Sequence, residues 1–226
     1  MVLARQFYYR PTLEVTRELI GKVLVHDAPA GRAAGVIVEA EAYIGESDPA
    51  CHAAPGPTAR NAPLYGVPGV AYVYLNYGIH YLVNAVTEPE GSPAAVLIRA
   101  LEPLEGEALM RRRRARGTTR RVASFTAAEI CRGPGNLTRA LGINLRLNRL
   151  DLTTSALRIE DRGLPPREVA WSRRIGINVG VDSPWRCYAI NCPAVSGGRR
   201  ENGGVGGARR ATRGALSVSA GASGSP

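Results

Sequence analysis

A chain of 226 residues, 45% of them hydrophobic, is long enough to bury the core of one globular domain. No apolar run reaches the length of a membrane span, and the first residues show no apolar export core, so we expect a cytoplasmic protein. The net charge of +10, carried by arginine except for Lys22, favours either a polyanionic partner such as nucleic acid or a solvated basic surface.

The first third of the chain predicts one helix, two strands and a long loop. The helix runs from Thr12, which serves as its N-cap, to a stop at Gly21. Strands are predicted over 22–26 and 35–44. The segment 45–69 is rich in Pro, Gly, Ala and Asn and is predicted to be an ordered loop, and loops of that length are uncommon unless they serve a function.

A β-hairpin is predicted next, from strands over 70–75 and 81–86. Gly78 lies in the connection and can take the positive φ that a tight turn requires. Tyr77 falls at the tip, where a large aromatic side chain has little core to enter. An exposed aromatic at such a place is typical of wedges that open base steps from the minor groove.

The remaining chain mixes strands and helices before its composition changes. The predicted elements are a strand over 94–100, helices over 104–114, 127–131 and 137–141, and strands within 181–195. From Gly197 onward the chain is mostly Gly, Ala, Ser and Arg without an apolar pattern. This predicts a folded domain over 1–196 and a disordered tail over 197–226.

Two acids, Glu39 and Glu41, stand at strand spacing, so both carboxylates project from one face of an otherwise apolar strand. Acids in such a strand are costly unless they are paired or hydrated at a cleft. Two interpretations stay open for them. One is a structural acid bound to an arginine, and the other is a carboxylate held near neutrality to work as a general base.

Tyrosines are concentrated around the hairpin. The cluster consists of Tyr72, Tyr74, Tyr77 and Tyr81, with His80 among them. It forms either part of the core or an aromatic slot, since Tyr72 and Tyr74 share one strand face and can hold a cationic ring. Combined with a wedge, a cleft carboxylate and basic charge, a slot of this kind favours a protein that flips bases.

Arginines are densest at the end of the predicted helix over 104–114. They are Arg111, Arg112, Arg113 and Arg114, followed by Arg116, Arg120 and Arg121. One interpretation is an exposed helix end whose charges suit the helix dipole, and the other is a set of phosphate contacts.

The sequence lacks the residues that a metal site or a lyase reaction needs. Cys51, Cys131, Cys187 and Cys192 form no C-x-x-C pair, so we expect free thiols, no metal, no zinc deaminase and no cofactor. An enzyme that cuts a nucleic-acid strand through a Schiff base needs an amine. Lys22 is far in sequence from the candidate residues, so no lyase activity is predicted.

A series of short motifs runs in order through residues 7–196. They are FYYRPTLEV at 7–15, GKVLV at 21–25, VEAEAYIG at 38–45, TARN at 58–61, YVYLNYGIHY at 72–81, VLIRALEPLEG at 96–106, GPGNLTRALGI at 133–143 and SPWR at 183–186. With these motifs at this spacing, the chain resembles the alkyladenine (3-methyladenine) DNA glycosylases of the mammalian type.

The resemblance implies an α+β fold: a single compact domain with a curved, barrel-like antiparallel sheet, surrounding helices and a protruding hairpin that enters the DNA minor groove. By motif position, Glu41 matches the general base that activates water for attack on the sugar C1′. Arg99 matches the arginine that orients this water. Glu39 is then a structural neighbour.

The same matching implies a pocket for the flipped base. Tyr43, His52 and Tyr74 correspond to three sides of the base slot. Asn84 corresponds to the side chain that screens exocyclic groups of purines. Tyr77 corresponds to the residue that fills the gap left by the flipped nucleotide.

The implied function is a monofunctional base-excision-repair glycosylase, expected to act as a monomer on double-stranded DNA at the nucleoid of a bacterium. Its implied lesions are 3-methyladenine and 7-methylguanine, with hypoxanthine and ethenoadenine as further candidates. The alternative is a catalytically idle nucleic-acid-binding protein, although a mere binder has no use for Glu41 and Arg99 together. A glycoside hydrolase is disfavoured because Glu39 and Glu41 are neighbours on one strand and would not flank a sugar bond.

Overall fold

The structure, a computed structural model, describes residues 1–197, so the tail predicted over 197–226 lies outside the described residues apart from Gly197. The strands are β1 (Val23–Ala28), β2 (Gly31–Ile44), β3 (Ala71–Asn76), β4 (His80–Val86), β5 (Ala94–Glu105), β6 (Leu157–Glu160), β7 (Val169–Ser172) and β8 (Arg186–Ala189). The α-helices are α1 (Arg5–Tyr8), α2 (Thr12–Leu19), α3 (Glu107–Ala115), α4 (Ala127–Ile130) and α5 (Pro134–Leu141). Short 3-10 helices lie at Ala62–Tyr65, Val122–Ser124 and Leu145–Leu147.

The strands form one antiparallel sheet in the order β3-β4-β5-β2-β1-β6, with β8 beside β2 and β7 beyond β8. The long strand β2 is shifted in register against β5 at three places, and such bulges bend a strand. Gly35 stands at one of them, where a Cβ would lie 2.8 Å from the carbonyl oxygen of Glu102. The sheet curls into a half-barrel, which confirms the predicted α+β fold of a single compact domain.

The helices cover one face of the sheet and leave the other for the cavity described below. α2 packs on β2 and β5, while α5 packs on β4 and β5. Side chains alternate along β3, so Val73 joins the main core whereas Tyr72 joins a separate small cluster with Leu64 of the 45–69 loop. The predicted long loop therefore packs on the face opposite the main core.

Several boundaries differ from those predicted. Thr12 is the first residue of α2 rather than its N-cap, because its hydroxyl is bound to Thr87 (2.9 Å) and Glu88 (2.5 Å) instead of a helix N–H. The helix predicted from Leu104 begins at Glu107, since β5 continues through Glu105.

Of the predicted break at Gly133-Pro-Gly, only Gly133 lies outside a helix, as the N-cap of α5. The helix begins at Pro134, a position where proline loses no helical hydrogen bond. Strands β6 and β7 were not predicted. Each is only four residues long, too short for a periodic pattern to stand out, even though Leu157 and Ile159 of β6 are fully buried. Within residues 1–197, the helices are all too short and too polar to cross a membrane.

Candidate active site

A cavity of about 540 Å³ lies on the Tyr72 face of the sheet, between β3–β5, the 45–69 loop and the segment 175–179. The lining residues that the sequence had pointed to are Tyr43, His52, Tyr72, Tyr74, Tyr77, Asn84 and Arg99. The fold thus brings residues from five separate segments of the chain to one concave surface.

One wall of the cavity is aromatic. The ring centroids of Tyr72 and Tyr74 are 5.3 Å apart, and the His52 ring packs edge-on against Tyr74 at 4.4 Å. Nδ1 of His52 lies 2.8 Å from the Tyr72 hydroxyl. Burial lowers the pKa of His52 and raises the pKa of Tyr72 to about 12, so the wall is uncharged at neutral pH. Such a wall suits a flat and, above all, a cationic ring.

Asn61 fixes the part of the loop that carries His52. Its Nδ2 donates to the carbonyl oxygens of His52 (2.7 Å) and Gly56 (2.8 Å), and its Oδ1 accepts from the Thr58 N–H (2.6 Å). The neighbouring Arg60 places its guanidinium 5.8 Å from the Tyr74 ring. These contacts explain how the irregular part of the loop, before the 3-10 helix at Ala62–Tyr65, holds the His52 ring in place.

Glu41 is fully buried directly behind the cavity wall. Its Oε2 accepts from the Tyr43 hydroxyl (2.9 Å) and from Arg99 (3.0 Å), and its Oε1 accepts from the Ile175 N–H (2.8 Å). All three donors line the cavity, whereas Glu41 itself does not. Burial raises the pKa of the Glu41 carboxyl, although Arg99 and the donors oppose this rise. A carboxylate so placed can take a proton from water beside these lining groups.

Glu39 is the more internal acid and is bound on every side. Its Oε1 accepts from Arg99 (3.0 Å), Arg186 (2.7 Å) and the Ser196 hydroxyl (2.9 Å), and its Oε2 accepts from the Ser196 N–H (2.6 Å). Arg99 therefore bridges the two acids, one guanidinium nitrogen to each. Burial alone would lower the pKa of Arg99, but Glu41 and Glu39 raise it, so this side chain is charged. The contacts of Glu39 fit the structural interpretation.

Asn84 projects into the cavity from β4. Its Nδ2 donates to the main-chain oxygen of Tyr72, the residue opposite it on β3, at 3.0 Å. An amide anchored in this way cannot swing aside, so its position suits a side chain that screens what enters.

The hairpin tip stands out from the domain at the cavity mouth. Tyr77 and Gly78 both have positive φ, 48° and 69°, and the Ile79 N–H donates to the Asn76 oxygen at 3.0 Å. The sequence indicated the positive φ of Gly78 but not that of Tyr77. Tyr77 is 82% exposed and Ile79 73% exposed, so the tip presents two large apolar side chains to solvent.

The arginine run is divided between the interior and the surface. Arg113 is buried and donates to the carbonyl oxygens of Ala140 and Leu141 at the end of α5. Arg114 is buried against Phe125, and Arg111 pairs with Glu107. These contacts use Arg111, Arg113 and Arg114 within the fold and leave Arg112 as the exposed member of the four consecutive arginines. The later members of the run, Arg116, Arg120 and Arg121, are exposed as well.

Sequence reasoning missed several residues of the site: the buried side chains of Asp48, Arg174, Arg186 and Ser196, and the main-chain N–H of Ile175. Arg174 and Asp48 form a fully buried ion pair, with contacts of 2.6 and 2.8 Å. Asp48 and Arg174 lie in loops of ordinary polar composition. Arg186 begins β8 and ends the SPWR motif, but the motif does not reveal its partner. Their roles depend on partners more than a hundred residues away, and no local signal marks them.

Within residues 1–197, no three His, Cys, Asp or Glu side chains are grouped so that they could hold a metal ion. The four cysteines are free thiols: Cys51, Cys131 and Cys187 are buried, and Cys192 is partly exposed.

Comparison with known proteins places related sequences along nearly the whole described chain. Residues 6–193 match the family described as methylpurine-DNA glycosylase. A protein of Methanocella arvoryzae named "Putative 3-methyladenine DNA glycosylase" is 50% identical over 199 residues, covering 86% of this chain and 96% of its own. Proteins of the same name are 51% identical over 174 residues in Rubrobacter xylanophilus (76% and 86% covered) and 45% identical over 197 residues in Chlorobium phaeobacteroides (86% and 95% covered). These three relatives are archaeal and bacterial, so they do not support the mammalian type.

Proposed function

Since this chain belongs to the methylpurine-DNA glycosylase family, we propose that it flips alkylated purines out of duplex DNA and hydrolyses their N-glycosidic bond with an activated water. Membership makes the chain a DNA-3-methyladenine-type glycosylase, and thus a hydrolase of base excision repair that binds DNA. The proposed lesions are 3-methyladenine and 7-methylguanine, with hypoxanthine and ethenoadenine as further candidates.

The observation that carries the proposal is a buried carboxylate placed behind an aromatic cavity, with a charged arginine between them. Arg99 lines the cavity and contacts Glu41 at 3.0 Å. A water held beside Arg99 can pass a proton to Glu41, whose raised pKa makes it a stronger base than a solvated glutamate.

In the proposed reaction, the water oxygen forms a bond to C1′ of the flipped nucleotide and Glu41 takes its proton. The electron pair of the C1′–N bond leaves with the purine. A purine alkylated at N3 or N7 is cationic, so it departs neutral and needs no acid. The negative charge of Glu41 also stabilises the positive charge that develops on the sugar.

The aromatic wall supplies selection. We assign the base slot to Tyr43, His52 and Tyr74, where a cationic ring gains about 1–2 kcal/mol when water is excluded. Asn84 screens the purine edge from its fixed place on β4. Tyr77, exposed on its hairpin, fills the gap in the duplex.

We further propose that the enzyme is monofunctional. Strand cleavage through a Schiff base needs an amine at the sugar, and Lys22 is the only lysine of the chain. Lys22 pairs with Asp161 at 2.5 Å and does not line the cavity. The proposed partner is double-stranded DNA bound by a monomer at the nucleoid, and the exposed Arg112 remains our candidate for a phosphate contact.

The test is single-turnover release of 3-methyladenine, and separately of hypoxanthine, from duplex DNA by the wild type and by Glu41→Gln. Removing a general base lowers such a rate by about 100- to 10,000-fold. Binding to damaged duplex, measured in parallel, should stay within about threefold of wild type because Glu41 does not line the cavity.

The control is Glu46→Gln, since Glu46 lies on the 45–69 loop and binds Tyr65 rather than any group of the cavity wall. Its rate should match the wild type. A wild type that binds damaged DNA but releases no base would favour the idle binding protein instead.

A further inference from the structure

A buried ion pair ties two walls of the cavity together. Asp48 lies in the 45–69 loop, and Arg174 immediately precedes the 175–179 wall. The guanidinium meets the carboxylate with two nitrogens, at 2.6 and 2.8 Å, and both side chains are out of contact with solvent. A two-pronged contact of this kind fixes orientation as well as distance.

Each partner is also bound to the main chain of its surroundings. Asp48 accepts from the N–H groups of Ile44 (3.2 Å) and Ala50 (3.1 Å). Arg174 donates to the carbonyl oxygens of Ala42 (3.1 Å) and Gly180 (3.2 Å). The pair therefore joins the end of β2, the loop and the 174–180 segment at one point.

The residue that follows Arg174 is the one whose amide holds Glu41. The Ile175 N–H donates to Glu41 at 2.8 Å, and the Ile175 carbonyl lies 3.4 Å from Arg99. The Arg174 guanidinium also packs 4.7 Å from the centroid of Tyr43, the second donor to Glu41. Two of the three hydrogen bonds of Glu41 thus come from groups that Arg174 supports directly.

We propose that Arg174, held by Asp48, is a positioning residue that keeps the Ile175 amide on Glu41 and so sets the reactivity of this acid. The inference rests on the proposed role of Glu41. Removing both charges from water is costly, and a pair of apolar side chains of similar volume often gives a fold of equal or greater stability. What the ion pair adds is a fixed direction for the chain at Ile175.

Positioning and simple electrostatics make opposite predictions for Asp48→Asn. The charged and titratable groups that surround Glu41 are Glu39 and Tyr43 on β2, Arg99 on β5, Tyr74 on β3, Arg186 on β8 and Arg174 itself. Removing the negative charge of Asp48 leaves Arg174 uncompensated, which by charge alone lowers the pKa of Glu41. Loosening the Ile175 amide removes a donor to the carboxylate, which raises the pKa of Glu41.

The test measures the titration of Glu41 directly and the chemical rate separately. The side-chain carboxyl ¹³C signal of Glu41, identified by its loss in Glu41→Gln, is followed against pH in the wild type, Asp48→Asn and Arg174→Lys. Arg174→Lys keeps the positive charge but loses the contact of two guanidinium nitrogens with the carboxylate. Arg158→Lys is the matched control, because Arg158 pairs with Asp27 and Glu160 away from the cavity.

We expect the Glu41 midpoint to rise in both Asp48→Asn and Arg174→Lys, and to stay at the wild-type value in Arg158→Lys. Single-turnover base release should fall by about 10- to 100-fold in the two cavity variants, the loss expected for one hydrogen bond to a charged group. Affinity for damaged duplex should stay within about threefold, since neither residue lines the cavity.

A lowered or unchanged Glu41 midpoint in Asp48→Asn would overturn the inference, as would wild-type release by Arg174→Lys. If Asp48→Asn does not fold, Arg174→Lys decides alone. A wild type that releases no base defeats the proposed function, yet the titration of Glu41 still reports whether the ion pair positions this acid.

Discussion

The buried charges behind the cavity wall, Glu39, Glu41 and Arg99, which we call the floor, and the tip of the β3–β4 hairpin are held in place by different means. On the floor, Glu41 is fully buried and is bound by Tyr43, Arg99 and Ile175, two of which are more than fifty residues away. At the tip, Tyr77 is placed by the turn of its own hairpin and is 82% exposed.

Because of this difference, substitutions in the two regions should have different effects on stability and on activity. The geometry of the floor depends on buried charges that water cannot solvate, so the loss of one partner leaves the other charges uncompensated. The tip has few contacts to lose, because its side chains face solvent. Changes on the floor should therefore damage both the fold and the chemistry, whereas changes at the tip should affect only the handling of DNA.

The largest effect is expected for Arg99→Gln, which leaves Glu39 and Glu41 buried without the cation that bridges them. Removing one partner of a buried charge network costs about 3–5 kcal/mol of unfolding free energy. Chemical denaturation measures this loss, and single-turnover base release should fall along with it.

The matched control for that loss is Arg32→Gln, because Arg32 is half exposed and pairs with Asp27 at the surface. It should cost about 1 kcal/mol or less. Equal losses in the two variants would contradict the idea that charge pairing holds the floor together.

The next effect is on pH dependence. Burial raises the pKa of Glu41, so its ionised, basic form is lost as the pH falls through that raised value. Release of 7-methylguanine, whose own charge is fixed, should fall about tenfold for each pH unit below it. A rate that stays level through acidic pH would argue against Glu41 as the base.

The stability of the fold should depend on pH in the direction opposite to the rate of base release. A carboxyl whose pKa is higher in the folded than in the unfolded chain stabilises the fold fully below its unfolded pKa. That contribution is lost as the pH rises through the folded pKa. The melting temperature of the wild type should therefore fall relative to that of Glu41→Gln as the pH is raised through this range. A constant difference between the two melting temperatures would contradict this.

The smallest effect on the protein itself is expected for Tyr77→Ala at the tip. Its unfolding free energy should stay within about 0.5 kcal/mol of wild type, as for other surface substitutions. Base release from duplex DNA should nevertheless fall by about tenfold, because a base-stacking contact of about 1–3 kcal/mol is lost. Release from single-stranded DNA, which has no gap to fill, should not change, and a similar loss on both substrates would rule out the wedge role.

The same division explains how much of the molecule could be predicted. Gly78 and its strand neighbours specify the hairpin locally, and spacing alone placed Glu39 and Glu41 on one face. The contacts of Ser196 with Glu39 span 157 residues, and those of Arg174 with Asp48 span 126. Pairings over such distances exist only once the half-barrel has closed.

The arginine run shows the converse limit of local reasoning. Four consecutive arginines predict a charged surface, yet Arg113 turns inward to the carbonyl groups that end α5. Helical spacing gives the face on which a side chain lies, but not which neighbour will cover that face. The tail over 197–226 and the lesion spectrum stay predictions.

The scarcity of lysine makes selective chemical labelling of the chain possible. Amine-reactive reagents have one side-chain target in the whole sequence, Lys22, which lies just before β1 and pairs with Asp161. A dye or surface linker attached there leaves every residue of the cavity and hairpin unmodified. Once the exposed α-amine of Met1 is blocked, the enzyme could be tethered at this single known point and followed while it binds single DNA molecules.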